Sequence, residues 1–185
     1  MHIDKSKNTA YIYWAKLSDR LKYDHKDAHQ MAEMLLARGL DEIYGITLSK
    51  EERAVGRHGK PYLANHPKIH YNISHSGEFV ICALSGVPVG IDIQQKRIVD
   101  VAKVGKKIFP DQEYREFLKS EKKQEEFFRQ WVLRESYLKW TGEGITKDLR
   151  ELKTEGWHQF LHLHRDYMCA LWAGIPLEIH MKEIR

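Results

Sequence analysis

The apolar positions along the chain change period several times. Residues 25–40, HKDAHQMAEMLLARGL, place Ala28, Met31, Ala32 and Leu35 at helical spacing, with Gly39 near the end. Residues 124–144, QEEFFRQWVLRESYLKWTGEG, keep the same period and stop on Gly142 and Gly144. A shorter helix is predicted over 111–120, after Pro110 and with Asp111 as its cap. Between these, NISHSGEFVICALSG (72–86) and VGIDIQQ (89–95) read as strands. The first of them opens on Asn72, Ser74, His75 and Ser76, four polar side chains at the mouth of an apolar strand. Such a group either ties up a turn or holds a ligand.

An internal echo organises these elements. CALSGVPVGIDI runs from Cys82 to Ile93, and CALWAGIPLEIHM runs from Cys169 to Met181. With one inserted residue, Cys-Ala-Leu matches Cys-Ala-Leu, and Gly86, Pro88 and Ile91 match Gly174, Pro176 and Ile179. Each copy reads as strand, Gly/Pro turn, strand, with a helix before it. The expected fold is α+β: a pseudo-twofold pair of similar subdomains, each a small antiparallel sheet packed against helices. The expected halves are residues 1–95 and 96–185, with one site between them. Asp92 of the first copy corresponds to His180 of the second, so the two halves build one site and not two.

Two carboxylates stand out from this frame. In VGIDIQQ, Val89, Ile91 and Ile93 alternate toward one face, leaving Gly90, Asp92 and Gln94 on the other. Asp92 and Gln94 then present two oxygens about 7 Å apart along the strand, unless that face simply meets solvent. On the second long helix, stepping about 100° per residue from Phe127 puts Glu135 near ~80° and Lys139 near ~120°, between Trp131 at ~40° and Val132 at ~140°. A charge inside an apolar arc is costly unless paired or metal-bound; the alternative is a Glu–Lys pair at the rim. Two carboxylates with an amide oxygen suit Mg²⁺, a hard cation that borrows waters and substrate phosphates. The 11 histidines raise zinc, and HLH at 162–164 puts two imidazoles on one strand face, but no Cys/His group has closed-site spacing.

Composition narrows the class. The 185 residues, 42% of them hydrophobic, suffice for a core. No apolar run approaches the roughly 20 residues of a membrane span, and the first residues lack a signal-peptide pattern. Cys82 and Cys169, both inside apolar runs, read as buried thiols in a reducing cytoplasm. The net charge of +4 favours acidic partners. A nucleic-acid-binding module would use that charge but leaves Asp92 and Glu135 without a purpose. A non-catalytic nucleotide sensor would differ from an enzyme in lacking turnover.

Four segments in order carry a resemblance: GRHGKPYL (56–63), NISHSGEFVICAL (72–84), VGIDIQQ (89–95) and WVLRESYLKWTGEGI (131–145). Together they resemble the 4′-phosphopantetheinyl transferases, in particular the monomeric two-half type. The resemblance implies coenzyme A as donor, Mg²⁺ or Mn²⁺ as cofactor, an acyl or peptidyl carrier protein as acceptor, and neither nucleic acid nor membrane as partner. It implies Asp92, Glu135 and Gln94 at the metal. Glu135, or a metal-bound water it orients, would be the general base, Asp92 a further catalytic carboxylate, and Lys139 the group facing the leaving phosphate. It places Ser74 and His75 on coenzyme A phosphates, Lys60 at the adenine nucleotide, and Arg20, Lys22 and Lys26 near the 3′-phosphate. The carrier would dock around 101–120. Two positions depart from the family pattern: Gln94 stands where a second acidic residue is common, and Arg134 where a Lys precedes the helix Glu.

Overall fold

A computed structural model describes residues 8–17, 25–47, 49, 53–144, 148–152 and 154–185, those at 25 and 26 by backbone alone. The order of elements is β1 (Thr9–Lys16), α1 (His25–Tyr44), a two-stranded ribbon of β2 (Arg53–Val55) and β3 (Pro61–Leu63), then β4 (His70–Ser76), β5 (Phe79–Ser85) and β6 (Val89–Gln95). There follow α2 (Val101–Gly105), α3 (Asp111–Lys119), α4 (Lys123–Thr141), β7 (Trp157–Phe160), β8 (Tyr167–Ala173) and β9 (Glu178–Glu183). Strand, helix and antiparallel strand pair thus occur twice: β1, α1, β4–β5, then β6, α4, β7–β8.

The expected α+β architecture is present, as small sheets packed against helices. One sheet has the order β4-β5-β1-β9, the other β6-β8-β7. Among the described residues all strand pairings are antiparallel except β1 with β9, which is parallel. The halves exchange strands: β6 leaves its neighbour β5 to pair with β8, and β9 leaves β8 to pair with β1. The Gly/Pro turns at 86–88 and 174–176 therefore carry the chain from one sheet to the other and close no hairpin.

Alternation in the strands feeds two cores. Tyr13, Val80, Cys82 and Leu84 face α1, which buries Leu35, Leu36 and Leu40 against them. Ile12, Ile81 and Ala83 face the other way and meet Val89, Ile91, Ile93, Cys169 and Leu171 between the sheets. Cys82 thus faces a helix while Cys169 faces the other sheet. A one-residue slip reverses every side chain of a strand, so the Cys-Ala-Leu match does not pair equivalent positions. A third cluster, Phe109, Phe117, Phe127 and Phe128, joins the short helices to the start of α4.

Two helix boundaries differ from expectation, and a third keeps its expected glycine stop. Helix α1 continues past Gly39 to Tyr44, because Gly39 lies where the helix crosses β5; an added Cβ would sit 2.6 Å from Leu84 Cδ1. Asp111 does not cap α3: Pro110 holds the N-cap position without a side-chain bond, and Asp111 opens the first turn, where its charge suits the helix dipole. Helix α4 ends at Thr141, with Gly142 left-handed at φ 72.

Candidate active site

Strand β6 is the edge of its sheet, and an edge leaves a row of backbone groups to satisfy. Here the side chains of β4 do so. Asn72 Oδ1 accepts from the Ile91 N–H at 2.8 Å, Ser74 Oγ from Ile93 N–H at 3.3 Å, and Ser76 Oγ from Gln95 N–H at 3.0 Å. Residues at i, i+2 and i+4 of one strand thus grip i, i+2 and i+4 of another. The polar cluster at the mouth of β4 is a zipper that joins the two sheets. His75 lies between its teeth, so it points to the opposite face of β4, where it is exposed.

Helix α4 lies directly on the other face of β6. A Cβ on Gly90 would fall 2.2 Å from both Ser136 O and Trp140 N, so only glycine allows this approach. Trp172 of β8 donates its indole N–H to Leu133 O at 2.8 Å and fixes the helix over the sheet. Asp92, two residues beyond Gly90, is thereby enclosed beneath α4 and is only 6% exposed. It does not face solvent.

Asp92 Oδ1 accepts two bonds, from Ser74 Oγ at 2.8 Å and from Lys139 Nζ at 2.7 Å. Lys139 Nζ also donates to Ser74 Oγ at 2.8 Å. The Ser74 hydroxyl is then saturated: its single hydrogen goes to Asp92 and its two lone pairs to Lys139 and the Ile93 N–H. Asp92 Oδ2 is buried and has no hydrogen-bond partner. Glu135, one turn before Lys139, is half-buried; burial, and then the Asp92 charge, push its carboxyl above the ordinary range, while Lys139 pulls the other way. Gln94 is half-buried on the same strand face as Asp92. Glu135 and Lys139 line a cleft of 320 Å³ together with His58, Lys60, Asn72 and Gly142.

The structure therefore brings together Asp92, Glu135, Lys139 and Ser74, with Lys60 on the cleft wall. It does not bring Ser74 and His75 to one face. Arg20 and Lys22 lie outside the described residues, as does the Lys26 side chain. Arg134, next to Glu135, turns away: it is buried, bonding Gln130 Oε1 at 2.6 Å and Glu113 of α3 at 3.2 Å. Asn72 and Ser76 act as structural partners of the site strand, and their signal in the sequence is the alternation of short polar side chains. The carboxylates of Asp92 and Glu135, with Asp92 Oδ2 buried and unpartnered, are hard-oxygen donors of the kind that fit Mg²⁺. Among the described residues no group of three or more His, Cys, Asp or Glu side chains forms a closed cage.

Residues 88–174, which run from the turn before β6 through β8 and include Asp92, Gln94, Glu135 and Lys139, match the sequence model of the 4′-phosphopantetheinyl transferase superfamily. A 4′-phosphopantetheinyl transferase of Bacillus subtilis is 32% identical over 133 residues, which is 69% of this chain and 58% of that protein. The 4′-phosphopantetheinyl transferase gsp of Aneurinibacillus migulanus is 32% identical over 149 residues, 78% of this chain and 58% of the relative. HetI of Nostoc is 39% identical over 97 residues, 48% of this chain and 40% of the relative. The chain thus spans less than two thirds of the length of these relatives. The family match covers β6 and α4 with Asp92, Glu135 and Lys139, and the chain belongs to the 4′-phosphopantetheinyl transferase superfamily.

Proposed function

We propose that this chain transfers 4′-phosphopantetheine from coenzyme A to a serine of an apo acyl or peptidyl carrier protein. The observation that carries the reading is the meeting of Asp92 and Glu135 under α4, with Asp92 Oδ2 buried and without a partner. Asp92 and Glu135 would hold Mg²⁺, or Mn²⁺ in its place, with Gln94 contributing its amide oxygen. When bound, the ion offsets negative charge on the diphosphate of coenzyme A.

The chain's own groups supply the rest. The serine oxygen forms a bond to the β-phosphorus, the bond from that phosphorus to the bridging oxygen breaks, and 3′,5′-ADP departs. Glu135, whose carboxyl is pushed up by burial, takes the serine proton. Lys139, already inside hydrogen-bond range of Asp92, neutralises the departing phosphate. His75, with Arg20, Lys22 and Lys26, completes the proposed contacts to coenzyme A phosphates. Ser74 reaches a phosphate only by giving up one of its three bonds.

Both carboxylates come from one chain, which supports a monomer. No described helix is long and apolar enough to cross a membrane; the two cysteines are buried free thiols, which suits a reducing cytoplasmic setting. Release of 3′,5′-ADP from coenzyme A tests the proposal. It is expected only when Mg²⁺ and an apo carrier are both present; release without the carrier would overturn it.

A further inference from the structure

The zipper along β6 has a fourth member. The backbone groups of β6 that face β4 belong to residues 89, 91, 93 and 95. The N–H groups of the last three are taken by Asn72, Ser74 and Ser76. The carbonyl of Val89, first in the row, accepts from Lys60 Nζ at 3.1 Å. The same ammonium donates to Trp140 O at 2.9 Å. Trp140 lies in the last turn of α4, where carbonyls have no intrahelical partner. The Lys60 stem packs on Gly142, the left-handed residue that ends the helix; a Cβ there would lie 3.2 Å from Lys60 Cδ.

We infer that Lys60 is a positioning residue: its ammonium joins the start of β6 to the end of α4 and so sets Glu135 and Lys139 over Asp92. These two elements carry both carboxylates of the site, and Lys60 bonds to each of them. A cation at a helix C-terminus also complements the helix dipole. Two of the three N–H groups of Lys60 are committed to these carbonyls, which gives the residue a role other than the adenine contact that the resemblance implies. Lysine is well matched to this position, because a flexible stem crosses from the β2–β3 ribbon and a compact ammonium serves two acceptors at once.

The inference rests on the proposed transferase reading for its effect on rate, while its structural half can be read without turnover. Lys60→Met keeps the stem and removes the donors. Hydrogen exchange should show protection lost in the peptides covering 89–91 and 138–142, and not in α1. In the transfer assay kcat should fall about tenfold or more while the coenzyme A dissociation constant, measured by calorimetry without carrier, changes less than about threefold. Lys60→Arg, which keeps a multidentate donor, should recover part of both. Unchanged exchange in α4 overturns the inference, as does a coenzyme A dissociation constant raised about tenfold or more with kcat intact. A wild-type protein that gives no transfer overturns the functional reading instead, and the exchange experiment then judges Lys60 alone.

Discussion

The Ser74 hydroxyl donates to Asp92 Oδ1 at 2.8 Å, while Asp92 Oδ2 is buried and has no hydrogen-bond partner. Ser74 and Lys139 hold one oxygen of the carboxylate, and in the proposed reading the other would serve the cation. Ser74→Ala should therefore raise the Mg²⁺ concentration needed for half-maximal rate. It also strips the Ile93 N–H of its acceptor, so stability should fall by about 1–3 kcal/mol. A Mg²⁺ titration paired with urea unfolding checks both. A variant with wild-type Mg²⁺ demand would remove Ser74 from this role.

Gln94 presents a neutral amide on the face that carries Asp92. Adding a charge there should strengthen cation binding, since the two positions lie about 7 Å apart along the strand. Gln94→Glu should reach half-maximal rate at lower Mg²⁺ than the wild type. Equal half-saturating concentrations would mean that Gln94 does not touch the ion.

Gly90 is the point of closest approach between α4 and β6. The atoms that a Cβ would strike are backbone, at 2.2 Å, and cannot swing aside as a side chain can. Gly90→Ala should lower stability by about 3 kcal/mol, the upper end for overpacking, and reduce activity by lifting Glu135 from Asp92. Thermal unfolding measures the first effect. A variant as stable as the wild type would show that α4 adjusts freely.

The Lys60 ammonium has a pKa lowered to about 8, because burial disfavours its charge. Between about pH 8 and the ordinary value near 10.4, the unfolded chain binds more protons at this site than the folded one. Stability from this group therefore rises with pH across that window. The unfolding free energy of the wild type minus that of Lys60→Met should increase over the same range. A flat difference would mean that the ammonium is better solvated than its surroundings suggest.

What is legible in the sequence is what is local. Glu135 and Lys139 are visible because a helix angle follows from spacing alone, and they do lie together beside Asp92. The placement of Asp92 is half visible: alternation shows which face it shares with Gly90 and Gln94, but not that α4 covers that face. The role of Asn72, Ser74 and Ser76 depends on which strand edge lies opposite, and an exchange of strands between sheets leaves no local mark. The Cys-Ala-Leu echo misleads for the same reason, since one residue of slip reverses the faces without changing the composition. Strand β1, a continuous buried run, and the five-residue α2 lack the alternation or length that marks an element.

In the proposed reading Asp92 and Glu135 form one catalytic centre for phosphopantetheine transfer. Intact-mass spectrometry of a panel of apo carrier proteins, incubated with coenzyme A and Mg²⁺, would report that transfer. The wild type should add the mass of phosphopantetheine to at least one carrier serine. Asp92→Ala and Glu135→Ala, folded by circular dichroism, should each add none in the same time. Wild-type protein that modifies no carrier, or either variant modifying a carrier at near the wild-type rate, would show that the two carboxylates form no such centre.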